Sequence, residues 1–303
     1  MRVGISLTSR HVVTDPRHGA RWMIERAAAA SRAGLDSLFV GDHHATPAPY
    51  YQNVPILGRL LAEWSDRPAG CLFLLPLWHP VLVAEQVGTL AAIARGRFIV
   101  QCGLGDGSEQ FAAMGAEIKH RPSAFEESFD AVRRLLRGET VSGGRRFAFE
   151  RASLALRPAE PVEYWIGAHA PAAIDRAARL ADGFLASPSL SFAEAGAQAA
   201  YYRERCAAHG RTPTAMAIRR DVYVGETTAE ARATAEPVIA SGYRGFAREA
   251  LVVGAVDEVA ARLRDLGAMG YTDVIVRHVV DDQAKVLGSM SRLAKVRRAL
   301  RDA

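Results

Sequence analysis

The sequence predicts a single (β/α)8 TIM barrel over residues 1–303, with a small hairpin inserted between its fourth and fifth strands. Three observations carry this expectation. Apolar runs of strand length alternate with amphipathic helical segments along the whole chain, and eight strand–helix units can be counted. A chain of 303 residues, 49% of them hydrophobic, can bury one large core. No linker rich in Ser, Pro or Gly is long enough to separate domains. Repeated right-handed crossovers give a parallel sheet, and eight of them can close; an open doubly wound sheet is the second choice on the same pattern.

The first strand lies near Val3–Leu7 and leads to a helix around Ala20–Ala33 that stops at Gly34. Ser37–Gly41 forms the second strand, followed by a Pro-rich loop and a helix near Pro55–Trp64. Gly70–Leu75 precedes the helix Val81–Ile93, and Arg97–Cys102 runs into a Gly-rich turn before the helix Phe125–Leu136. Between Gly138 and Pro161 the helical pattern is lost. There Gly143 and Gly144, flanked by Thr140–Ser142 and Phe147–Phe149, read as the turn of a hairpin. The fifth and sixth strands are Tyr164–Ile166 and Phe184–Ala186, each followed by a helix, Ala172–Ala181 and Phe192–His209. Met216–Val224 is the seventh strand. Two helical segments, Thr228–Ser241 and Val256–Leu266, lead to the eighth, Asp273–Arg277, and a closing helix spans Gln283–Arg301.

Composition narrows the partners. Apolar stretches are short and broken by Pro, Gly or charge, so no helical membrane span is expected. The opening residues read as a strand rather than a signal peptide, and the expected compartment is the cytoplasm. Cys71, Cys102 and Cys206 are odd in number and far apart, which suits buried small hydrophobes and neither a disulfide framework nor a zinc motif. The net charge of +5 is scattered, except along Arg292–Arg301, whose helical spacing suits a solvated face. No basic stripe with stacking aromatics is present, so nucleic acid is not an expected partner.

Reactive groups in such barrels follow the C-terminal ends of the strands. Those places here hold Asp42, His43 and His44; Trp78 and His79; Gly103, Leu104, Gly105, Asp106 and Gly107; Gly167, Ala168, His169 and Ala170; and Arg277 with His278. Four of the five carry His, which invites a metal-hydrolase reading. That reading fits poorly: strand one ends in Leu7, Thr8 and Ser9 without a His-x-His pair, and adjacent His43 and His44 cannot easily aim both rings at one ion. No metal is expected. The run from Gly103 to Gly107 has Ser108 where a dinucleotide fingerprint needs its third Gly, and it follows the wrong strand. It could bring backbone close to a ligand or serve only as a tight turn. Ile166–Ala173 passes through small residues into a helix with Pro171 in its first turn. Its free N–H groups could hold a phosphate, although an ordinary strand–helix junction accounts for the same residues.

Taken in order, four passages resemble the bacterial luciferase-like monooxygenase family, which includes oxidoreductases using FMN and others using the deazaflavin coenzyme F-420. They are Ala33–His43, with Gly34, Asp36 and Gly41; Leu74–Ala84, with Pro76, His79 and Pro80; Gly96–Gly105, with Gly103; and Trp165–Gly183, with Gly167, Pro171 and Asp182. Val253–Ala260 fits the same family's late helix start. The resemblance covers nearly the whole chain. It implies a cofactor ring over the ends of strands three and four, backed by Leu72 and Phe73, with Gly103, Leu104 and Gly105 beside it and Gly167 nearby. It implies a phosphate at Ala168, His169 and Ala170. In the F-420 dehydrogenases a His after strand two and an acid after strand four do acid–base chemistry, and His43 and Asp106 stand in those places. Asp is shorter than the Glu usual there. His43 has a second reading, capping a strand-end carbonyl, and His79, before Pro80, reads as structural.

The expected function is therefore redox catalysis on a small organic substrate, by hydride transfer or by O2-dependent monooxygenation. The alternatives are a non-catalytic flavin-binding barrel and, further off, a metal-dependent hydrolase. The polar mouth residues Asp42, His43, Asp106 and His169 argue for catalysis. A homo-oligomer, a dimer, is implied by the resemblance only. FMN and F-420 are not separated, and the loops Pro47–Gln52 and Tyr243–Glu249 leave the substrate open.

Overall fold

The computed structural model describes residues 1–301 and has a closed parallel barrel of eight strands, ringed by helices. In chain order the elements are β1 (Arg2–Leu7), α1 (Pro16–Arg32), β2 (Leu38–Val40), α2 (Asn53–Leu60), β3 (Ala69–Leu74), α3 (Pro80–Ile93) and β4 (Phe98–Gly103). Then come α4 (Ser108–Ala113), α5 (Arg121–Leu136), β5 (Glu163–Ala168), α6 (Pro171–Leu180), β6 (Gly183–Ala186) and α7 (Phe192–Ala208). The chain finishes with β7 (Ala215–Val224), α8 (Thr228–Ala240), β8 (Val252–Gly254), α9 (Val256–Ala268), β9 (Asp273–His278) and α10 (Gln283–Ala299). β1 through β7 pair in sequence, β7 pairs with β9, and β9 pairs back with β1 to close the ring. β8 is an additional three-residue strand on the far end of β7, matching Val222 with Val252. Neither β8 nor α4 stands out in the sequence, because each is too short to show a period.

Period-two alternation builds two cores. Phe39, Ile99, Trp165, Ala217 and Ile275 face inward and fill the barrel, while Val3, Val40, Phe73, Val100 and Ile166 face outward beneath the helices. Trp165 is wholly buried, 5.5 Å from the Phe39 ring. It fits because its neighbour is Gly183, where an added Cβ would fall 2.5 Å from the indole. Gly183→Ala is accordingly expected to destabilise by about 1–3 kcal/mol through overpacking, read as a lower urea midpoint with an unchanged slope. The barrel floor is closed by polar groups: Arg2 donates twice to Asp273, and Trp165 Nε1 donates to Glu163 at 2.7 Å. The opposite, C-terminal end stays open.

Two features refine the expected fold. The segment between α5 and β5 forms no strand of its own, so the expected hairpin is not confirmed as a pair of strands. It holds one antiparallel bridge, Val141 to Ala152. The Gly143 N–H donates to the Phe149 carbonyl at 2.8 Å across the turn, and the Glu127 carboxylate accepts from the N–H groups of Gly144, Arg146 and Phe147, which ties the turn to α5. The histidines after the strands are spread apart: His79 packs on Phe149, 5.4 Å between centroids, and His169 lies exposed beside Gln198. The three cysteines are free and buried. The basic C-terminal stretch forms the outer face of α10, where Arg292 pairs with Glu226 and Arg297 with Asp36.

Candidate active site

The open mouth is a cleft of about 880 Å³ whose walls include His43, Leu72, Gln101 and Asp106. β2 ends at Val40, and the residues after it are sorted by the strand's alternation. Gly41 faces inward with the Tyr50 hydroxyl 2.8 Å from where a Cβ would stand, so a larger residue would displace that hydroxyl. Asp42 turns away and is buried. Its Oδ2 accepts from the Leu74 N–H at 2.8 Å and from Trp78 Nε1 at 2.9 Å. His44 Nε2 stands 3.2 Å from Asp42 Oδ1, and its ring meets Trp78 edge-on. Asp42 and His44 thus lock the second loop to the end of β3, and His43 between them opens on the cleft.

His43 is held by its neighbours. Its carbonyl accepts from Gln52 Nε2 at 3.0 Å, and its ring stands edge-on to Tyr50, 5.4 Å between centroids. The residue is exposed at the mouth, but desolvation by the protein around its ring still lowers its pKa below the ordinary 6.5, against the opposing pull of Asp42, Gln110 and Asp106. The neutral imidazole is therefore favoured at pH 7. Gln110, on the short helix α4, ties the two sides together. Its Oε1 accepts from the His44 N–H at 2.7 Å, and its Nε2 donates to the Asp106 carbonyl at 3.2 Å. Asp106 itself is exposed at the rim. His278, buried at the wall, is pushed down to about 3 by burial and stays neutral.

Of the residues singled out from sequence, the cleft takes in His43, Leu72 and Asp106 directly. Phe73 lies behind the wall: it faces the helices, with its ring edge-on to Trp78. Gly103 and Gly167 face inward and stand side by side, since Cys102 pairs with Ile166. Gly167 in turn pairs with Leu185, a cleft residue. A Cβ on Gly167 would meet only the Cys102 carbonyl, at 3.6 Å, so the wall of β4 and β5 is bare of side chains there. Leu104 packs partly into the outer core. Gly105 and Gly107 have φ of +73° and +83°, which is sufficient reason for glycine at both. Ala168 puts its methyl into the layer under α6, leaving only backbone to reach a ligand, and His169 and Ala170 lie outside the cleft wall. Ala170 caps α6 without a side-chain hydrogen bond, so that helix start is free of an internal acceptor.

Sequence reasoning overlooked Gln101, Gln110, Arg219 and Arg244. Gln101 faces inward beneath the cleft with its Nε2 buried and unpartnered. Arg219, with Arg220 and Asp221, makes a charged triplet inside an otherwise apolar strand, and that was the available signal. Among the described residues, no three His, Cys, Asp or Glu side chains are grouped as metal ligands. Nor is any described helix long and apolar enough to cross a membrane.

Comparison with known proteins places this geometry. A family model described as luciferase-like monooxygenase matches residues 1–286. An F420-dependent glucose-6-phosphate dehydrogenase of Nakamurella multipartita is 32% identical over 181 residues, covering 55% of this chain and 52% of that protein. The chain thus matches about half the length of such curated relatives. In fold it is similar to the monooxygenase RslO1 from Streptomyces bottropensis, with a TM-score of 0.84 at 22% identity over 97% of this chain and 98% of the other. The FMN complex of the oxygenating constituent of 3,6-diketocamphane monooxygenase from Pseudomonas putida gives 0.81 at 18% identity, over 97% of both chains.

Proposed function

This chain belongs to the luciferase-like monooxygenase family, and on that premise we propose that it is an oxidoreductase using a reduced or oxidised (deaza)flavin, coenzyme F-420 first and FMN second. The observation that carries the proposal is the pairing of His43, neutral and open to the cleft, with a glycine wall that is bare of side chains at Gly167 and edged by Leu72 and Leu74 at Gly103. That wall fits a planar ring, and the unpartnered Gln101 amide beneath it fits a polar ring edge. Leu72 would touch the ring, with Phe73 supporting that wall from behind. Gly103, Leu104, Gly105 and Gly167 would lie beside it. The backbone of Ala168, His169 and Ala170, at the uncapped start of α6, would take the phosphate. The F420-dependent relative supports the order of preference; the FMN-bound structural neighbour supplies the second reading.

When bound, such a cofactor supplies hydride chemistry at its ring. The chain's own part is to hold the substrate carbon beside that ring and to move the accompanying proton. His43 is the group we assign to it: an imidazole nitrogen takes the proton from a substrate hydroxyl, or returns it in the reverse direction. Asp106 sits close enough to favour the protonated form once it is made. The reading carries with it a small-molecule substrate, a cytoplasmic setting and a homo-oligomer.

The deciding experiment is a visible-light titration of the purified protein with F-420 and, separately, with FMN. Saturable perturbation of the F-420 spectrum, with weaker or no response to FMN, is the expected result. No response to either cofactor would overturn the proposal. A pH profile adds a second check. Because desolvation holds His43 below 6.5 and the neutral form is the base, turnover in the oxidising direction should rise with pH along an acidic limb centred below 6.5. A limb centred above 6.5 would remove His43 from that role.

A further inference from the structure

Across the cleft from the glycine wall of β4 and β5, three arginines come together from separate parts of the chain. Arg219 on β7 and Arg277 on β9 face inward on paired strands, with Asp221 opposite Arg277. Arg244 arrives from the loop between α8 and β8, and all three line the cleft. One carboxylate serves them. Asp221 is wholly buried; its Oδ1 accepts from Arg219 Nε at 3.0 Å, and its Oδ2 accepts from the Tyr243 hydroxyl at 2.7 Å. Of the other acids lining the cleft, Asp42 holds the second loop, Asp281 sits between Arg26 at 3.0 Å and His11 at 3.3 Å, and Asp106 stands exposed at the rim outside ion-pair distance of the arginines.

Among the described residues, neither Arg244 nor Arg277 has a carboxylate within ion-pair distance, and Arg219 Nη2 and Arg277 Nε are buried without partners. Cations drawn together out of water are unfavourable unless something negative completes them. The Arg219 guanidinium feels this, pushed down to about 10 by burial and, against the pull of Asp221, by Arg277 and Arg244. The loop that delivers Arg244 is also held in a costly shape. Arg244 has a φ of +50°, a left-handed conformation at a residue other than glycine, between Gly242 and Gly245 that share it. The Tyr243–Asp221 hydrogen bond pins that shape in place. Such strain gathers where a clamp must be preformed.

We infer that Arg244 and Arg277, with Arg219 behind them, bind an anionic group of the substrate, a carboxylate or a phosphate monoester, and so hold its reacting carbon beside His43. This rests on the redox reading of the cleft and names its substrate class. The guanidinium fork matches two oxygens of either group at once. The site lies on β7, β9 and the loop before β8, whereas the cofactor phosphate is assigned to the start of α6 after β5, on another arc of the rim.

The test titrates inorganic phosphate into the protein at constant ionic strength, followed by 31P line width, with and without saturating F-420 or FMN. A saturable site is expected in both states. Arg277→Met and Arg244→Met should each weaken it at least tenfold while cofactor affinity stays within twofold. Arg244 is exposed, so its variant will fold even if that of Arg277 does not. Arg134→Met, on the outer surface, is the control that keeps phosphate binding. Absence of a saturable phosphate site would overturn the inference. So would phosphate competing with cofactor while both variants lose cofactor at least tenfold, which would assign the arginines to the cofactor's own tail. If the wild type binds phosphate at these arginines but neither cofactor, the redox reading falls while the anion site stands.

Discussion

His43→Ala is expected to lower turnover at least about 100-fold, the usual scale for losing a positioned general acid or base. Cofactor affinity should stay within about twofold, because the side chain opens on the cleft rather than on the glycine wall of β4 and β5. The neighbouring substitution is the informative control. His44 stands against the buried Asp42 carboxylate and the Trp78 indole, so His44→Ala should act on stability. Removing a ring packed between a buried carboxylate and an indole costs about 0.5–3 kcal/mol, visible as a lower unfolding midpoint, with turnover of the folded fraction little changed. Turnover, cofactor titration and urea unfolding of the two variants separate these outcomes. If His44→Ala destroys turnover and His43→Ala is silent, the assignment of the second loop is reversed and the proton is handled elsewhere.

The sequence was most legible where one physical rule acts alone. Apolar runs of strand length located all eight barrel strands, since each is buried on both faces, in the barrel and under the helices. Backbone alternation continued past β2 turns Asp42 and His43 to opposite sides of the chain. It was least legible where a distant group decides the outcome. Gly143 and Gly144 mark a turn, but nothing local shows that Glu127, on a different element, accepts from that turn's N–H groups. Gln110 reads as an ordinary polar residue, and its bridge to His44 exists only because β2 and β4 end on the same rim. Arg219 and Asp221 were visible as charges in an apolar strand. Their role was hidden because Arg244 and Tyr243 join them from a loop with no periodic pattern.

The second large effect expected is at Gly167. The residue is an inward-facing member of β5, and its backbone is not in the left-handed region, so a side chain there meets no conformational penalty. The space is real: the one heavy atom near an added Cβ is the Cys102 carbonyl at 3.6 Å, ordinary contact. Gly167→Ala should therefore fold normally, and glycine in a strand interior is itself slightly unfavourable. Gly167→Leu extends three further carbons across the wall assigned to the cofactor ring, and should weaken cofactor binding at least tenfold, about 1.4 kcal/mol. The alanine variant should lie between leucine and wild type. Ala168 would be a poor choice for the same purpose. Its methyl faces the core under α6, so a carboxylate there would disrupt folding before it met a phosphate. Thermal unfolding establishes that the Gly167 variants are native, and titration with F-420 and with FMN measures the loss. Wild-type affinity in folded Gly167→Leu would mean that the ring lies elsewhere in the cleft, and Gly103 and Gly167 would then be accounted for by packing alone.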